Sequence, residues 1–216
     1  MISLNWFLVP IRTHIIKEGE DIVQLARQYT SGIAEPTDVI ALAESVVAIT
    51  QGRAILPETV SPGFWARLIS RFPAKHGSLA TPAAMQLAIQ EVGLFKILLG
   101  CGAAVIGKLI GRKGYFYIVA GQETALIDDV AGTMWPYERH IIMGPQKPGK
   151  IVAAIKKATG AEAVITDVND LKCVDVLAAT SPASAEIARQ ALMENPFGND
   201  DQQTPLVIIK PATGKR

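Results

Sequence analysis

Ala163-Val164-Ile165-Thr166-Asp167-Val168-Asn169-Asp170 passes from three small or apolar residues into two carboxylates and an amide. That is the pattern of a buried strand whose C-terminal end opens onto a site. The sheet fixes the backbone, and the side chains just past its edge are left to face a ligand. Asp167, Asn169 and Asp170 offer the oxygen ligands that magnesium or manganese prefers. The same letters also suit an Asx-turn in which Asn169 and Asp170 bond their own backbone. The two readings are separated only by what the rest of the chain supplies.

Immediately upstream, Pro148 to Thr159 reads as a basic amphipathic helix carrying Lys150, Lys156 and Lys157, and it enters the strand through Gly160. Downstream, Lys172 to Ala178 reads as another strand, Ser181-Pro182 starts a helix running to Glu194, and Leu206 to Lys210 reads as a last strand after a polar loop. At the other end of the chain, Ile2 to Ile11 is a first strand closing in Val9-Pro10-Ile11-Arg12-Thr13. Pro10 lacks an N–H, so the ladder must stop there or lie on an edge. A helix from about Glu20 to Tyr29 turns Ile22, Leu25 and Ala26 inward. Val39 to Ala43 is a short buried strand with Glu44 and Ser45 at its end, followed by a helix that closes at Gly52-Arg53. Such a strand-to-helix junction offers backbone N–H groups to an anion such as phosphate, or is simply a helix start.

The middle of the chain reads differently. Ser61-Pro62 opens a helix through Phe72 and Thr81-Pro82 one ending near Val92, around a loop of Pro73, Ala74, Lys75, His76 and Gly77. Gly93 to Gly111 is the one membrane-like segment. Lys96 and Lys108 limit its uninterrupted apolar run to the eleven residues from Ile97 to Gly107, short of the roughly 20 that a spanning helix needs. It reads as a buried helix notched by glycines, with a second backbone or a dimer partner packed into the notch. Gly102 to Leu109 approaches a Walker A loop but carries Leu109 where a magnesium-binding hydroxyl belongs. Tyr115 to Ala120 and Thr124 to Ile127 read as two strands, the second ending in Asp128-Asp129, a pair that needs solvent or a cation. His140 to Met143 reads as one more strand.

Lys and Arg number 21 against 20 Asp and Glu, a formal charge of +1. No field for nucleic acid or another strongly charged partner follows from that balance. Cys101 and Cys173 stand far apart and outside any zinc spacing, which suggests a reduced pair. The N-terminal residues lack the basic region and cleavage site of a secretory signal, so the expected location is the cytoplasm, with neither nucleic acid nor membrane as partner.

VPIRTHIIKEGEDI, DVIALAESVVAITQGR, GRKGYFYIVAG, the ID of ALIDD, MGPQKPGKIVAAI, AVITDVND and ENPFGNDDQQTPLVII, in this order, resemble the coenzyme F-420 gamma-glutamyl ligase superfamily, and especially its short bacterial ligase-like branch. The resemblance implies GTP and a divalent metal, manganese or magnesium, as cofactors. It implies an acyl phosphate on a small carboxylate substrate, attacked by the amine of glutamate. Position by position, Asp128 and Asp167 resemble the metal-binding aspartates. Val9, Pro10, Ile11 and Arg12, with Glu44 and Ser45, resemble the guanine-nucleotide contacts. No catalytic residue is assigned. Ile49 stands where the ligases carry a lysine, Val168 where they carry threonine after the strand-end aspartate, and Asp170-Leu171-Lys172-Cys173 replaces a Gly-Arg-x-x-Arg pattern.

The expected fold is α+β, with mixed and antiparallel sheets, flanking helices and two interleaved lobes that bring the chain's two ends into one sheet. The expected organisation is a single ligase-like unit with lobes of about 1–60 with 115–216 and about 61–114, and the resemblance implies a homodimer. The first functional reading is a GTP- and metal-dependent amide-bond ligase in which Asp128 and Asp167 share one cation. The alternative is a homologue that binds a nucleotide or metabolite without catalysis, favoured by Ile49 and Val168. A weaker third is a structural dimer whose acids merely occupy turns.

Overall fold

The computed structural model describes residues 6–73, 79–112, 114–128, 135–168, 172–198 and 202–212. In chain order the elements are β1 (Trp6–Ile11), α1 (Ile22–Thr30), β2 (Val39–Ala43), α2 (Glu44–Thr50), β3 (Ala54–Ile55), α3 (Phe64–Ile69), α4 (Pro82–Val92), α5 (Leu94–Leu109), α6 (Tyr115–Ala120), β4 (Ile141–Ile142), α7 (Pro148–Thr159), β5 (Glu162–Val168), β6 (Val174–Ala179), α8 (Pro182–Ala191) and β7 (Leu206–Pro211). The fold is α+β, and the chain divides into two compact units, Met1–Gly52 with Pro145–Arg216, and Arg53–Gly144.

The first unit is built on a five-stranded mixed sheet in the order β1-β7-β2-β5-β6. The two ends of the chain meet in it, since β1 pairs antiparallel with β7 from Trp6 opposite Pro211 to Ile11 opposite Leu206. Pro10 is accommodated because β1 is an edge strand with one free side. β2 and β5 are parallel neighbours and sit deepest, which is why both read as nearly unbroken apolar runs. Alternate residues serve two cores. Ile40, Leu42, Ala163, Ile165, Leu206 and Ile208 pack under Ile22, Leu25 and Ala26 of α1, Val46 and Val47 of α2, and Val152 and Ile155 of α7. Val39, Ala41, Val164, Val207 and Ile209 face the other way, against Ala188 of α8, Leu192 and Phe197. Ile40, Leu42 and Ile165 are fully buried, and each such side chain contributes about 1.5–3 kcal/mol by leaving water.

The helices begin where their capping residues stand. Asp21 caps α1, accepting from the N–H groups of Val23 and Gln24 at 2.9 and 3.2 Å. Ser181 and Ser184 form a reciprocal capping box on α8. Thr81 caps α4, with Pro82 at its first position.

In the second unit β3 pairs antiparallel with β4, Ala54 opposite Ile142 and Ile55 opposite Ile141. The Arg53 guanidinium secures this corner, donating to the Gly144 carbonyl at 2.5 Å and to the Glu91 carboxylate at 2.9 Å. Three expectations change here. Tyr115 to Ala120 is not a strand but α6, because Phe116 and Ala120, one helical turn apart, both pack at Gly100 of α5. Thr124 to Ile127 is not a strand either. Gln122–Thr124 is a turn of 3₁₀ helix, and only Asp128 bridges to Ile142. The Gly93 to Gly111 segment is helical and a second backbone, α6, fills its glycine notch as expected, but the helix is not buried. Ile97, Gly100 and Gly107 face inward while the opposite side is exposed.

Candidate functional site

The first unit supplies an edge at which several strands end together. β1, β2 and β5 all run in one direction, and Ile11, Leu206, Leu42 and Ile165 form one row across four adjacent strands. Just past this row β1 gives way to Arg12 and Thr13 and β2 to Glu44 and Ser45, while β5 carries Asp167 one residue before its end at Val168. The sheet thus brings Val9 to Arg12, Glu44, Ser45 and Asp167 to the same edge. At the spacing of about 4.8 Å between neighbouring strands, Arg12 stands roughly 14 Å from the end of β5, with the Glu44-Ser45 junction between them. A ligand touching both ends of that row must be extended.

Local contacts fix each piece. Thr13 donates its N–H to the Gln203 carbonyl at 2.9 Å, and Ala43 donates to the Pro205 carbonyl at 2.9 Å, so the loop before β7 is tied to the edge at two points. His14 lies 2.7 Å by Nδ1 from the Tyr29 hydroxyl and 2.8 Å by Nε2 from the Glu20 carboxylate, which holds the loop carrying Arg12. Burial pushes the Glu20 carboxyl up, but the Lys17 N–H, the His14 hydrogen bond and the His14 and Lys17 charges bring it below its ordinary value. α2 starts with no side-chain cap on its first turn. Val46 and Val47 of α2 pack on the face that carries Ile165, so by strand alternation Asp167 points to the same face.

Asp167 has a partner that sequence reading missed. β5 and β6 are antiparallel, and Asp167 pairs directly with Asp175, flanked by Val168 opposite Val174. Paired residues project to one face with Cβ atoms about 4.5–5.5 Å apart. Burial, and then the Asp175 charge, hold the Asp167 carboxyl above its ordinary value, although the residue keeps contact with solvent. The signal was present in Asp167-Val168 and Val174-Asp175, which mirror each other about Leu171, as the two arms of a hairpin do. A divalent cation would remove the repulsion that the two carboxylates otherwise carry. The neighbouring Thr166 points to the α8 side and buries its hydroxyl without a partner.

Asp128 belongs to the second unit. Its N–H donates to the Ile142 carbonyl at 2.8 Å and its carbonyl accepts from the Ile142 N–H at 3.0 Å, so the backbone is fixed while the residue remains exposed. Asp129, Asn169 and Asp170 lie outside the described residues. Among the described residues no three His, Cys, Asp or Glu side chains gather as a complete metal shell.

Ile49, where the resemblance leads one to expect lysine, is buried in α2. Val168 packs with Val174 and Val176 against the α8-side core. Both positions are occupied by hydrocarbon that the fold uses.

No curated protein matches this chain. The model of the F420-0:gamma-glutamyl ligase family matches residues 10–169, which run from the end of β1 through β5 and include Arg12, Glu44, Ser45, Asp128 and Asp167 but neither Asp175 nor β7. On that match the chain belongs to the F420-0:gamma-glutamyl ligase family.

Proposed function

We propose that this protein is a GTP- and divalent-metal-dependent ligase that joins a small carboxylate to an amino acid. The observation that carries the reading is the Asp167–Asp175 pair on the sheet edge that also presents Arg12 and the Glu44-Ser45 junction. Arg12 places a guanidinium, and the Glu44-Ser45 junction the start of α2, where an extended anionic nucleotide would lie. Asp167 with Asp175 would hold manganese or magnesium, and the resemblance implies a metal-binding role for Asp128 of the second unit as well. Bound there, the metal would draw charge from phosphate oxygens.

The reaction balances in two steps. A substrate carboxylate oxygen bonds to the γ-phosphorus as the bond to GDP breaks, giving an acyl phosphate. The amine nitrogen of the amino acid then bonds to the acyl carbon, inorganic phosphate leaves and the nitrogen gives up a proton. The chain's part is to align nucleotide and carboxylate and to stabilise the charge that moves between them.

Calorimetric titration with GTP and then ATP, each with and without manganese, tests this. Metal-dependent binding of GTP that is lost in Asp167→Ala and in Asp128→Ala is the expected result. No heat with either nucleotide overturns it. A second reading, a binding homologue without transfer chemistry, is favoured by buried Ile49 and by Val168. It predicts GTP binding with no phosphate released in the presence of any carboxylate and amino acid pair.

A further inference from the structure

Helix α5 carries two faces. Ile97, Gly100 and Gly107 turn inward to α6. A Cβ on Gly100 would meet the Ala120 Cβ at 2.9 Å, and one on Gly107 the Arg112 carbonyl at 2.8 Å, so the α5–α6 hairpin is closed as tightly as backbones allow. On the other side Phe95, Leu98, Leu99, Val105, Ile106 and Leu109 recur at helical spacing as one exposed apolar stripe, with Phe95 73% and Leu109 81% accessible. At 1.5 Å per residue that stripe is about 21 Å long. Ile118 and Val119 of α6 are exposed as well.

Charge identifies what fits it. Between Gly93 and Gly121 the sequence contains no Asp or Glu. Lys96 and Lys108 are both exposed. At 100° per residue they fall about 120° to either side of the centre of the stripe, one on each flank and about 60° beyond its apolar edge. Exposed Arg112 follows at the end of the helix. A second copy docking face to face would set these cations against their own kind with no acid between Gly93 and Gly121 to neutralise them. An anionic bilayer surface satisfies both features, since acyl chains take the stripe while lysine stems reach out to the phosphates.

We propose that the α5–α6 face rests on an anionic lipid surface, with the stripe in the interface and Lys96, Lys108 and Arg112 on lipid phosphates. The contact is lateral and not a crossing. Among the described residues no single helix is long and apolar enough to span a membrane, and α4 and α5 meet at a bend of 113°.

Co-sedimentation of the full chain with phosphatidylcholine vesicles, and with vesicles containing phosphatidylglycerol, tests this. The protein is expected to pellet with the second at low salt and to stay in solution with the first. Replacing Lys96, Lys108 and Arg112 by Gln should weaken partitioning about fivefold for each charge removed. Ile106→Ser with Leu109→Ser should weaken it while leaving the thermal melt intact, because both side chains already lie in water. The proposal is overturned if the protein ignores both vesicles or binds both equally. It is also overturned if the chain sediments as a dimer that Ile106→Ser with Leu109→Ser converts to monomer, since a second copy would then cover the face.

Discussion

Asp167 and Asp175 stand directly opposite each other across the β5–β6 pair, two carboxylates on one face near the C-terminal end of β5. Like charges so placed destabilise a sheet, here by about 0.5 kcal/mol or less after solvent screening. Asp175→Asn is therefore expected to raise the metal-free thermal midpoint slightly. Manganese should raise the midpoint of the wild type and lose most of that effect in the variant. Equal manganese shifts in both would remove Asp175 from the site.

The same pair sets a sign for pH dependence. The Asp167 carboxyl is held above its ordinary value of 3.8 by burial and by Asp175. Its contribution to stability is thus fully present below that value and is lost as pH rises through the folded-state pKa. Glu162 behaves oppositely. Hydrogen bonds from Lys156, at 2.5 Å, and from Thr180 hold its carboxyl below 4.5, so its contribution is present above that value and lost as pH falls through the folded-state pKa. In melts taken from about pH 3 to 7, Asp167→Asn should remove the loss on the rising side and Glu162→Gln the loss on the acid side.

Two glycines of α5, one half-turn apart, should answer differently to alanine. Gly100 faces Ala120 and Phe116, and an added methyl would sit 2.9 Å from the Ala120 Cβ. Gly100→Ala should cost about 1–3 kcal/mol through overpacking. At Gly102 nothing lies within 4 Å of the same methyl, so Gly102→Ala should stabilise by up to about 1 kcal/mol through helix propensity alone. Denaturant titrations of the two variants provide the comparison.

Lys210 and Asp38 form an ion pair of 2.7 Å between β7 and the start of β2, with the Asp38 side chain only 2% exposed. Lys210→Met would leave that carboxylate buried beside the Glu35 N–H without its counter-charge, at a cost of about 3 kcal/mol. The double variant with Asp38→Asn should recover much of the loss in urea titration.

Periodicity and turn chemistry determined a good deal by themselves. Continuous apolar runs marked β2 and β5 because both strands are covered on two faces, and Pro10 marked β1 as an edge. Thr81-Pro82 and Ser181-Pro182 marked helix starts because capping depends on neighbours along the chain, whereas α3 starts at Phe64, past Ser61-Pro62. Those local signals also placed Arg12, Glu44 and Asp167 at or beside strand ends. Tertiary structure decided the rest. The letters Tyr115 to Ala120 favour a strand on propensity, yet they form a helix because Phe116 and Ala120 complete the surface of α5 at Gly100. Hydrophobicity announced α5 but could not say which of its sides would be covered. Only strand order placed Arg12, Glu44 and Asp167 on one edge, and only register set Asp175 against Asp167. Sequence determines what each short segment prefers, whereas the pairing of segments distant along the chain is chosen by the burial that all of them achieve together.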